Sequence, residues 1–286
     1  MVRSLARNDS DAQCPRLPML TRHRLASILA LTVIASCAGL SVIRYCPPAV
    51  ICLRALIHFA SLGSALFAVA LLASTVVASW TVLTGWTIIR SWRNLSQLNR
   101  VVPPRELAAA ASRVGVARLV CLKEDGAAFC AGSFRPTVFI SRSLVGQLKQ
   151  DALDAVLLHE QDHARRREPL RRVGAWAATQ ALFFVPVVAW WARRGVEAAE
   201  LRADQAAVVR LGRAPVAAAL LLLGSDSSLA GTAAFTGFAQ LRVAQLLGDP
   251  LPRHPLPLKT VVLSGIGLYS ALAVMACVAG SLASIG

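Results

Sequence analysis

The chain has 286 residues, 56% of them hydrophobic, and a formal net charge of +15. That apolar share excludes an ordinary soluble domain of this length and points to membrane spans. The basic charge does not point to nucleic acid. Arg22 and Arg24 precede one apolar run, Arg90 and Arg93 follow another, and no basic stripe interleaves with aromatics. This is the pattern of cytoplasmic flanks beside anionic lipid.

Residues 1–24 are polar, basic and rich in turn formers, and are expected to be a disordered N-terminus. The next 19 uncharged residues, 25–43, just span a bilayer core at about 1.5 Å per residue. Ile34-Ala35-Ser36-Cys37 also resembles the end of a lipoprotein signal, but the apolar run continues to Ile43, where a mature lipoprotein turns polar. Cys46 and Cys52 flank a short loop and stay open between a disulfide, if that loop faces outward, and free thiols. The other five cysteines show no metal-ligand spacing. A second uncharged run, 55–89, is too long for one span and too short for two with a turn. It reads as one long or tilted span over 62–89, with Trp80, Trp86 and Trp92 as interfacial anchors. Residues 25–90 therefore hold two transmembrane helices.

From residue 91 charge returns, and 91–247 reads as the working domain. The spacing predicts a helix over Arg105–Arg118, then two short strands around an Asp125-Gly126 turn. "RPTVFISRSLV", 135–145, is a third strand leading into a helix, and Asp151 is a candidate cap for the helix that follows. Residues 173–192 form another uncharged run, broken by Pro186, and an amphipathic helix covers 193–212. Residues 239–247 are a further helical piece, 248–259 a proline-rich linker, and 260–286 a charge-free C-terminal transmembrane helix.

The stretch "LLHEQDHARRREPL", 157–170, carries the chemistry. Residues four apart on a helix share a face, so His159 and His163 can present two imidazoles to one cation, with Glu160 standing beside it. This is the arrangement of metal-assisted hydrolysis: two neutral nitrogens and a third ligand hold Zn²⁺, and a glutamate takes the proton of an activated water. The motif alone also fits a polar helix face. "ELRAD", 200–204, supplies a third ligand at Glu200 and, one turn later, Asp204 to accept a hydrogen bond from a ligand imidazole; a solvated helix charge is the plainer reading of Glu200 by spacing alone.

"HEQDH", "ELRAD" and the intervening "RRREPL" and "FFVPVVAWWARR" resemble the membrane-bound BlaR/MecR-type antirepressor metallopeptidases, gluzincins related to the HtpX and Ste24-type proteases. The resemblance implies a mainly α membrane protein, with transmembrane helices and an α+β gluzincin domain built on a small sheet. It makes His159, His163 and Glu200 the ligands of one zinc ion, Glu160 the base, and Asp204 the residue that orients a ligand. It implies a protein substrate such as a transcriptional repressor, the lipid bilayer as surroundings, no direct nucleic-acid contact, and a multi-pass plasma-membrane location with a cytoplasmic protease domain. The strand "TVFIS" is where the family would lay an extended substrate. Arg202 is a candidate to stabilise the oxyanion, against the plainer reading of a solvated arginine. The chain departs from the family by Glu168, where an aspartate is common, and by the absence of an S-x-x-K motif. The latter implies that it is not a β-lactam receptor by itself. Two rivals stand beside this reading: an HtpX-like quality-control protease, and an adaptor whose peptidase fold is inactive.

One topological expectation follows. The apolar run 173–192 lies between His163 and Glu200, which must reach the same ion. One crossing would part them by about 30 Å, and two crossings need about 40 residues. The run must enter and return, or pack against the spans without crossing, and Pro186 offers a break for a re-entrant hairpin. Three runs then cross, 25–43, 62–89 and 260–282, which puts the N-terminus inside and Gly286 outside.

Overall fold

The computed structural model describes residues 62–123, 127–225, 233–250 and 255–283. The basic tail, the span over 25–43, the Cys46–Cys52 loop and the Asp125-Gly126 turn lie outside these. Residues 66–275 form one compact unit; the described ends 62–65 and 276–283 belong to a second unit.

The first described helix, α1 (Leu62–Ser96), is 35 residues long. Its apolar side chains are exposed all round, as a lipid-facing helix requires, and 66–96 is long and apolar enough to cross a membrane. It runs beyond the expected end at 89, because Arg90 and Arg93 are good helix formers and no breaker stands among them. After the two-residue strand β1 (Arg100–Val101), α2 (Arg105–Val114) stops short of Arg118. Gly115 takes the left-handed conformation there (φ 77°), and its N–H closes on Ala111 O at 2.9 Å. Glycine adopts this conformation without the Cβ clash that other residues meet.

Strands β2 (Leu119–Leu122), β3 (Ala128–Ala131) and β4 (Thr137–Ser141) complete a mixed four-stranded sheet in the order β1-β2-β4-β3. Although β2 and β3 are sequence neighbours, they do not pair with each other. β4 inserts between them, parallel to β2 and antiparallel to β3. The cause is its run Val138-Phe139-Ile140, buried on both faces, which needs the central position. Ser141 ends β4 and caps α3 (Arg142–Gln147), its Oγ accepting from Leu144 N at 3.3 Å.

Helix α4 (Gln150–Arg165) packs against β3, β4 and α2 and lies at the centre of the core. Its cap position is Lys149, with no side-chain cap bond, rather than Asp151. Asp151 stands in the first turn, where a carboxylate favours the helix dipole. Leu153, Val156 and Leu157 face the buried cluster with Leu107, Ile140 and Leu144. A sharp turn with Arg167 at φ 53° leads to α5 (Glu168–Ala181), and a break at 182–185 leads to α6 (Pro186–Leu211). Proline suits the first turn of α6, whose leading N–H groups have no intrahelical partner.

The uncharged run 173–192 is thus divided between two packed helices. From 173 to the break is about 14 Å of helix, half of a bilayer core. α7 (Arg213–Ser225) and α8 (Ala233–Leu247) follow, then α9 (Leu258–Ala283), whose first turn forms on Pro257 O. Residues 258–276 of α9 are the second segment, among the described residues, long and apolar enough to cross a membrane. Both long helices grip the α5–α6 hairpin. Trp80 Nε1 of α1 donates to Gly174 O at 3.0 Å, and Ser264 Oγ of α9 accepts from Val187 N at 3.0 Å. Gly267 lies so close to the backbone at Phe184 that a Cβ there would collide with the Phe184 carbonyl oxygen, the close approach that small residues permit between apolar helices.

Candidate metal centre

Helix α4 presents His159, Glu160 and His163 to one side, and α6 brings Glu200 and Asp204 against them. The side chains predicted from sequence converge. His159 Nε2 and His163 Nε2 are 3.1 Å apart. Glu200 Oε2 is 3.4 Å from His159 Nε2, and Glu200 Oε1 is 3.6 Å from His163 Nε2. One ligand atom from each of the three residues falls within 4.8 Å of the others. Donor atoms around a tetrahedral zinc, with bonds of 2.0–2.1 Å, are about 3.3 Å from one another. The two imidazole nitrogens stand at about that separation, each with a different oxygen of the Glu200 carboxylate beside it, so the three side chains can face one ion. Two histidine nitrogens and one carboxylate, with a fourth position left open, are also the donor set of a catalytic site.

The neighbours fix the ligands. Asp204 is fully buried, and its Oδ1 lies 2.8 Å from His159 Nδ1, which orients the ring so that Nε2 faces the cluster. His163 Nδ1 is buried and has no hydrogen-bond partner. Burial works against charge on His159, but its hydrogen bonds to Asp204 and Glu200 outweigh that and hold its pKa at about 9. At His163, burial and the charge on His159 push the pKa down to about 4, so this ring is neutral. Burial also works against charge on Glu200 and Asp204, yet the hydrogen bonds to His159 and the nearby arginines hold both below the ordinary carboxylate range. Glu160 differs: burial raises its carboxyl above the ordinary value, against the pull of His159.

These groups line a cavity of about 580 Å³. Ala128, Phe129 and Cys130 of β3 form one wall, and Val216, Ala219 and Leu220 of α7 form an apolar one. Burial, and then the charge of Glu160, push the Cys130 thiol up to about 12, so it is protonated. The strand on the cavity is β3 rather than β4. β4 has a neighbour on both sides and no free edge for a substrate, while β3 pairs only with β4 among the described residues.

Two arginines in the site carry no motif. Arg242, on α8, makes a bidentate pair with Asp204 at 2.6 and 2.7 Å and lies 3.7 Å from Glu200. Its signal in the sequence is a single charge in the apolar segment 239–247, which must find a buried partner if that helix packs. Arg172, on α5, donates to Glu200 Oε1 at 2.6 Å and lines the cavity. Arg202 does not line the cavity. It is neither an oxyanion donor nor a free solvated arginine. Its guanidinium donates to Glu168 Oε1 at 2.7 Å, lies 3.6 Å from Asp162, and ties α6 to the α4–α5 turn. The buried Glu168 is the anchor of that clamp.

The family pattern described as BlaR1 peptidase M56 matches residues 56–224, more than half of the chain. No curated protein and no solved structure matches it. The matched region contains His159, His163 and Glu200, the metal-ligand types of a metallopeptidase brought to one point by α4 and α6. The chain belongs to the BlaR1 peptidase M56 family, whose members are membrane-bound metallopeptidases.

Proposed function

We propose that this metallopeptidase is a zinc endopeptidase that cleaves a cytoplasmic protein at the membrane, in particular a transcriptional repressor. The observation that carries the reading is the convergence of His159, His163 and Glu200, with one ligand atom of each within 4.8 Å of the others, beside a cavity lined by β3, an edge strand among the described residues. His159, His163 and Glu200 would hold the ion. Zinc, when bound, supplies Lewis acidity that lowers the pKa of water to about 7. Glu160, on the cavity wall and not in the ligand cluster, takes the proton of the attacking water and passes it to the leaving amine. Asp204 holds the His159 ring, and Arg242 holds Asp204. An extended peptide lies along β3, whose free edge offers backbone N–H and C=O groups. The repressor as substrate is drawn from the family to which the chain belongs, and cleavage of a repressor would be an irreversible signal.

The test is a comparison of cellular proteomes with the wild-type chain and with Glu160→Gln. The regulatory reading expects one intact DNA-binding repressor to accumulate in the variant. A broad accumulation of misfolded membrane proteins would replace it with the quality-control reading.

The proposed ligand set also bears on the topology. Arg171 and Arg172 precede the hairpin run and Arg193 and Arg194 follow it, which suits one cytoplasmic side. The N-terminus and protease domain then lie in the cytoplasm of a multi-pass plasma-membrane protein. Reporter fusions after residues 168 and 212 are both expected to read cytoplasmic. Opposite readings would break the topology and the ligand set together.

A further inference from the structure

We propose that Arg172 is a catalytic residue: its guanidinium donates hydrogen bonds to the oxygen of the scissile carbonyl as that oxygen becomes an oxyanion. The inference rests on the peptidase reading above and adds the group that reading lacks. When water attacks the carbonyl carbon, the π pair moves onto oxygen and Glu160 receives the water proton. When the C=O re-forms, the C–N bond breaks and that proton goes to the amine. The charge on oxygen exists only between these events, so a donor fixed beside it lowers the barrier without binding the substrate more tightly.

Two arginines line the cavity, and they are differently committed. Arg242 spends its fork on Asp204, and its side chain is 21% exposed. Arg172 is 42% exposed and is tied by one N–H group to Glu200 Oε1. A guanidinium has five N–H donors in a plane, so one edge can hold Glu200 while the other faces the cavity. The placement is also right. Glu168 and Pro169, in the first turn of α5, and Arg172, one turn on from Glu168, together line the cavity. Cys130 of β3, Glu160 and His163 line the same cavity, so Arg172 shares the space that a peptide along β3 would enter. A lysine would offer a point charge, unable to hold Glu200 and an oxyanion with the same planar geometry.

The rival role for Arg172 is to position Glu200, and the experiment separates the two. Wild type, Arg172→Met and Arg172→Lys are compared in detergent for bound zinc, for cleavage of β-casein, and for affinity towards a phosphinic pseudo-tripeptide, in which a –PO2–CH2– unit replaces the scissile amide. The affinity of the parent amide is measured on Glu160→Gln backgrounds. For Arg172→Met we expect unchanged zinc, amide affinity within about threefold, and losses of about 10²–10³ in kcat and in phosphinate affinity together. Arg172→Lys should recover only a small part. Loss of zinc, equal losses in amide and phosphinate affinity, or a kcat within tenfold of wild type would each overturn the assignment. A wild-type protein without zinc-dependent cleavage would overturn the peptidase reading itself; a cleaving wild type with an equally active Arg172→Met would overturn Arg172 alone.

Discussion

Replacing Glu160 by glutamine should reduce peptide cleavage to background while the metal stays in place. The two side chains have the same shape, so packing against β3 is kept, but an amide cannot accept the proton of the attacking water. Loss of a general base costs about 10²–10⁴ in rate, and more where the same group also returns the proton to the leaving amine. Glu160 lines the cavity but is not among the three residues whose ligand atoms converge, so its charge is not needed to hold the ion. The check is cleavage assayed beside metal content in the same preparation. Normal, chelator-sensitive activity of Glu160→Gln would remove the role assigned to it.

The second large effect concerns stability. Arg242→Met should destabilise the protein by about 2–4 kcal/mol, because it takes the bidentate guanidinium from the fully buried Asp204 carboxylate and leaves it only the His159 ring. The pair itself is not the source of that figure: burying both charges is costly, and most of the loss comes from the Asp204 oxygen that loses its donors while still buried. Adding Asp204→Asn should therefore recover part of the stability lost in Arg242→Met, though not the orientation of His159. Denaturant or thermal unfolding of the purified protein in detergent reads both. An Arg242→Met protein that melts like wild type would show that Asp204 does not depend on this guanidinium.

The parts of the site set by local geometry were legible in the sequence. His159, Glu160 and His163 follow from the period of one helix, and Glu200 with Asp204 from one turn of another. The break in the apolar run was legible for a different reason. Twenty uncharged residues between two ligands leave no room for two crossings, and the structure places α5 and α6 on either side of a turn at 182–185. Tertiary choices were not legible. Which strand occupies the centre of the sheet depends on which finds apolar cover on both faces, and in strands of four or five residues the period-2 pattern is too short to tell. The sequence therefore does not show that β4 is central and that β3 is the edge strand among the described residues. Arg242 comes from a helix 38 residues beyond Asp204, so no spacing rule links the two. Arg202 carries the charge an oxyanion site wants, but the buried Glu168 captures it.

The proposed chemistry needs one ion held by His159, His163 and Glu200, and the most direct measurement is metal content by mass spectrometry of the purified protein and its variants. The account predicts about one zinc per chain in wild type and in Glu160→Gln, near-complete loss in His163→Ala and Glu200→Ala, and a smaller loss, about 10 to 100-fold in affinity, in Asp204→Ala. Equal zinc in wild type and Glu200→Ala, or no zinc in a folded wild type supplied with it, would contradict the centre.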